Sequence, residues 1–90
     1  SLPCKLGEYL STGNPVVITK VGEIPDYLTN GVNAFLSEPD SAEAFAEKLD
    51  YVLSHPELAK RVGQKGKEIA LKYFNYKTQA KNIIDFINEL

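Results

Sequence analysis

Lys5-Leu6-Gly7-Glu8-Tyr9-Leu10-Ser11-Thr12-Gly13-Asn14-Pro15-Val16-Val17-Ile18-Thr19 is the stretch that decides the fold of this chain. Its first part reads as a short helix over 3–11. Pro3 suits a first helical position, Leu6 and Leu10 lie four apart on one face, and Gly13 stands just past the end. Asn14-Pro15 then breaks the chain before Val16-Val17-Ile18-Thr19, a β-branched run without polar alternation. Such a run suits a strand covered on both faces, the habit of parallel sheets.

Downstream, Gly22 closes the strand, Ile24 to Thr29 reads as a short helix ended by Asn30-Gly31, and Ala34-Phe35-Leu36 is a second brief apolar strand. Asp40, with Glu43 three residues on, is a variant capping box. The helix it opens carries the stripe Phe45, Ala46, Leu49, Val52 and Leu53. Ser54-His55-Pro56-Glu57 ends that helix and caps another, along which Leu58, Val62, Gly66, Ile69, Ala70 and Tyr73 recur at helical spacing. Asn75 caps a last helix with the stripe Ala80, Ile83, Ile84, Ile87 and Leu90. The order is helix, strand, helix, strand, then three helices. This is an α/β pattern of short parallel strands flanked by helices, with a helix-rich C-terminus. Two parallel strands alone make a marginal sheet. A helix at residue 3 also implies a strand before it, so the expectation is the C-terminal part of a larger α/β domain.

Composition narrows the function classes. The chain has 90 residues, 43% hydrophobic and 24% charged, which suits one small globular unit rather than a disordered or fibrous segment. Ten Lys and Arg against twelve Asp and Glu give a net charge of −2, which argues against the basic footprint of a nucleic-acid binder. A single cysteine, Cys4, rules out an internal disulfide framework and fits a reducing compartment. No run approaches the roughly 18 apolar residues of a membrane span, and the start lacks a signal-peptide pattern.

The common catalytic constellations are missing from the sequence. His55 is the one histidine, so no two-His metal site forms, and its place before Pro56 reads as a helix boundary. Cys4 has no histidine near it and reads as a small structural residue. Gly63-Gln64-Lys65-Gly66 superficially invites a phosphate loop, but it follows no strand and falls inside a helical pattern. The informative stretch is 1–13. A helix starting near Pro3 leaves its first N–H groups unpaired and carries positive dipole density there. At the carboxyl edge of a parallel sheet, such an end suits an anion. Lys5 sits in the first turn, where a cation opposes the dipole and a bound anion would account for it. Glu8 shares its face, where a carboxylate can hold paired sugar hydroxyls. A plain surface pair of Lys5 with Glu8, worth tenths of a kcal/mol, is the competing reading. Gly7, costing about 1 kcal/mol in a helix relative to Ala, speaks for a close approach by backbone or ligand.

Across Lys5–Val17 the sequence resembles the C-terminal domain of retaining GT-B glycosyltransferases, in particular the large bacterial group acting on nucleotide sugars, which carries Lys-Leu-x-Glu-(Tyr/Ala)-(Leu/Met)-(Ala/Ser)-x-Gly-x-Pro-Val-Val. The likeness continues through Val21-Gly22-Glu23-Ile24-Pro25-Asp26 and Asn30-Gly31-Val32-Asn33-Ala34-Phe35-Leu36 to Tyr73-Phe74-Asn75-Tyr76. It implies a Rossmann-like fold, with residues 1–90 as a partial donor-binding domain. In this family two glutamates are separated by seven residues. Glu8 resembles the second, which holds the ribose hydroxyls, and counting back places the first just before Ser1. Cys4, Lys5 and Leu6 match the segment whose backbone N–H groups face the donor diphosphate, and Leu2 and Pro3 match positions lining the sugar pocket. The family often has Gly-Gly where this chain has Gly22-Glu23; we expect Glu23 to face solvent rather than reshape the sugar side of the pocket.

The resemblance thus implies transfer of a sugar from a UDP- or GDP-linked donor with retention, without metal or cofactor. The acceptor would be bound by an N-terminal domain, and the basic residues facing the diphosphate would lie upstream. A cytoplasmic setting is expected, with the parent at the inner membrane face as an alternative. Two other classes stay open: a GT-B-type nucleotide-sugar epimerase, which the Lys5–Pro15 string fits poorly, and a non-catalytic interaction module whose exposed apolar edges drive self-association.

Overall fold

A computed structural model describes residues 4–74. Helix α1 (Cys4–Ser11) leads into strand β1 (Val17–Thr19), followed by helix α2 (Ile24–Tyr27), strand β2 (Phe35–Ser37), helix α3 (Ala42–Ser54) and helix α4 (Pro56–Ile69). A π-helical turn over Ala70–Phe74 follows α4. The expected helix capped by Asn75, with its stripe to Leu90, lies outside the described residues, as do Leu2 and Pro3.

β1 and β2 pair in parallel, with Val17 opposite Phe35, Ile18 opposite Leu36 and Thr19 opposite Ser37. Side chains alternate across the sheet, so each strand feeds two cores. On one face Leu6 and Leu10 of α1, Ile24 and Leu28 around α2, Leu36 and Ala70 pack together, with Val16 and Ile18 against them. On the other, Phe35, Val52, Ala59 and Val62 pack with Val17 and Leu58. This two-sided burial is why the strands carry unbroken apolar runs.

α4 crosses beneath the N-terminal ends of both strands, and two glycines allow it. A Cβ on Gly63 would overlap the Gly13 carbonyl oxygen, and one on Gly66 would lie 2.8 Å from the Asn33 carbonyl oxygen. Gly63-Gln64-Lys65-Gly66 is therefore a close-packing surface inside a helix, as its helical context implies. Gly13 itself has φ +79°, the left-handed conformation that ends α1 and turns the chain toward Pro15.

Four local details differ from the sequence expectations. α2 stops at Tyr27, short of Thr29, because Leu28 is already extended (φ −116°, ψ 137°). The buried Asn33 side chain meets the backbone groups that this early stop leaves: the Thr29 N–H donates to its Oδ1 at 2.7 Å and its Nδ2 donates to the Tyr27 carbonyl at 3.2 Å. Ser41, not Asp40, caps α3, with the Ala44 N–H donating to its Oγ at 3.0 Å. Asp40 lies one residue too early and instead takes φ +59° in the preceding turn, a conformation Asp tolerates better than most residues. Of the expected α3 stripe, Val52 is buried and Phe45 half-buried, and the covered arc turns toward Ala44 and Lys48, which are also half-buried. Ala46 and Leu49 are consequently exposed, and Leu53 is 79% exposed. Finally, the regular α4 helix ends at Ile69. The wider π turn keeps Ala70 in the core and sets Tyr73 edge-on to Tyr27 at 5.6 Å.

Candidate functional site

The direction of α1 follows from its exit. Ser11, Thr12 and Gly13 lead straight into the N-terminal end of β1, while Leu6 and Leu10 lie along the sheet. α1 therefore runs antiparallel to β1 and its first turn reaches the carboxyl edge of the strands. In open α/β sheets this edge is where ligands bind. α4 covers the opposite end, so the rim beside Cys4 and Lys5 is not closed by it.

The turn at the C-terminal end of α1 is fixed by its own side chains. Ser11 Oγ donates to the carbonyls of Gly7 (2.8 Å) and Glu8 (2.9 Å), and Thr12 Oγ1 donates to the Tyr9 carbonyl at 2.6 Å. Thr12 Oγ1 also accepts the Asn14 N–H at 3.1 Å. These bonds satisfy carbonyls that the last helical turn leaves over. They shape the turn that carries the chain from α1 toward β1.

Each residue singled out from sequence has a definite place. Cys4 opens α1, and Lys5 is exposed in its first turn, which contains no acidic residue. Leu6 is 4% exposed with its side chain in the core, so its backbone N–H is what it can present to a ligand. Glu8 is exposed on the face of Lys5, about 6 Å along the axis from Cys4 at the usual helical rise. Gly7 is buried beside Leu6. The arrangement places a cation and helix-terminal N–H groups at the tip and a carboxylate one turn below.

The rest of the rim comes from the ends of β1 and β2. Glu23 is exposed at the start of α2, as expected. The sequence reading passed over Lys20, which follows β1 directly and pairs with Glu38 after β2 at 3.7 Å. A lysine immediately after a strand whose carboxyl end forms the rim was the available signal. The Lys20 N–H donates to the Ser37 carbonyl at 2.8 Å, which keeps the two strand ends together where they meet the rim. His55 is a helix boundary: its ring stacks on Tyr51 at 4.0 Å, with Nδ1 2.7 Å from the Tyr51 carbonyl oxygen.

A parallel α/β layer with a helix tip and a carboxylate at its carboxyl edge has the layout of a Rossmann-like fold. The family described as glycosyl transferases group 1 matches residues 1–69, and the chain belongs to that family. It is 36% identical over 83 residues to a trehalose synthase of Pyrococcus horikoshii, covering 92% of this chain and 20% of that protein. It is 39% identical over 56 residues to a D-inositol 3-phosphate glycosyltransferase of Streptomyces griseus, covering 62% of this chain and 12% of that one. The crystal structure of HepE from Anabaena in complex with UDP superposes with a TM-score of 0.74 at 23% identity, covering 96% of this chain and 24% of HepE. The fold is thus a part of the GT-B glycosyltransferase fold. The chain spans about a fifth of the length of the first of these relatives. Among the described residues no helix is long and apolar enough to cross a membrane.

Proposed function

We propose that residues 1–90 form part of the donor-binding domain of a glycosyltransferase that transfers a sugar from a nucleoside diphosphate to an acceptor with retention of configuration. The observation that carries this reading is the position of the α1 tip and Glu8 on the carboxyl rim of the sheet, in a chain of the group 1 family. The backbone N–H groups of Cys4, Lys5 and Leu6 face the donor diphosphate, and the Glu8 carboxylate accepts hydrogen bonds from the two ribose hydroxyls. Glu8 is then the second member of a pair of glutamates separated by seven residues. As the glycosidic bond breaks, negative charge grows on the departing diphosphate. Fixed N–H donors and the helix dipole are worth more to that charge than to the ground state, which is how such a tip accelerates transfer. Lys5 adds a positive charge to the same tip.

HepE is solved with UDP, and also with UDP and glucose, which favours UDP over GDP as the nucleotide here. The family match favours transfer over the epimerase and the non-catalytic module. The acceptor is bound by a separate N-terminal domain, and the reaction takes place in the cytoplasm or at the inner face of the membrane.

Titration calorimetry of the chain with UDP, GDP and uridine tests the assignment. Both diphosphates bind and uridine binds far more weakly, because it lacks the group that the tip holds. Glu8→Ala weakens UDP binding by about tenfold or more, since a hydrogen bond to a charged group is worth about 1.5–3 kcal/mol. Equal affinity of Glu8→Ala and the unaltered chain for UDP removes Glu8 from the role.

A further inference from the structure

We draw no further inference here: the strongest candidate, the cationic outer face of α4 and of the π-helical turn after it, where Lys60, Arg61, Lys65 and Lys72 are exposed beside Leu71 and Tyr73, carries nothing, because the chain runs on from that turn beyond the described residues and nothing in the structure shows what covers the face.

Discussion

Gly63 and Glu8 are single positions with opposite demands. At Gly63 the requirement is absence: any side chain would enter the space of the Gly13–Pro15 backbone. Backbone cannot swing aside as a flexible side chain can, so Gly63→Ala forces α4 away from the start of β1. Overpacking of this kind costs about 1–3 kcal/mol, more than the roughly 1 kcal/mol that Ala gains over Gly in a helix. We therefore expect Gly63→Ala to lower the thermal midpoint by several degrees, read by circular dichroism. An unchanged or raised midpoint would show that α4 lies farther from the loop. Gly66 faces the Asn33 carbonyl and the Leu10 side chain, and its substitution would press α4 away from the loop that leads into β2. At Glu8, under the proposed function, the requirement is presence: the side chain is exposed, and its replacement is expected to show in ligand affinity.

At the scale of elements, local chemistry sets boundaries and packing sets faces. Ser41→Ala removes the α3 cap and costs about 1 kcal/mol, while Asp40→Gly, at a left-handed position, leaves stability unchanged or slightly raised. Chemical denaturation of the two variants separates these effects, and a larger loss for Asp40→Gly would restore Asp40 as the cap. The same helix shows what the sequence made legible. Its span, its stop at His55-Pro56 and the burial of Val52 were readable from periodicity and punctuation. The exposure of Leu49 and Leu53 was not, because the buried arc depends on where β1, β2 and α4 lie against α3. Asn33 was likewise illegible as a buried side chain, since its role is to meet backbone groups freed by the early end of α2, which no pattern within the sequence announces. The α1 tip was readable for the opposite reason. Helix, Gly13, Asn14-Pro15 and strand lie within one short stretch, so the order of elements alone sets which end of α1 meets the rim. Lys20 became visible only once the carboxyl edge had been located.

For the whole molecule, the balance between sheet and helices matters most. Among the described residues, two three-residue strands hold a layer with cores on both faces, and Asn30 finishes the outer edge of β2. Under the proposed function the chain carries one side of a cleft, and the acceptor belongs to the other side. The expected outcome of an assay with UDP-glucose and a simple sugar acceptor is no transfer by the 90-residue chain, while it still binds UDP. Genuine turnover by the chain alone would show that it holds a complete active site.

The proposed function requires the first turn of α1 to meet a diphosphate with its backbone. Backbone amide NMR of the isotopically labelled chain, titrated with UDP, addresses it residue by residue. The largest shifts are expected on the amides of Cys4, Lys5 and Leu6, with a smaller group near Glu8 and no change at Gly63 or Gly66 on the opposite end of the sheet. Shifts centred on α4, or saturable binding that leaves the α1 amides unmoved, would contradict it.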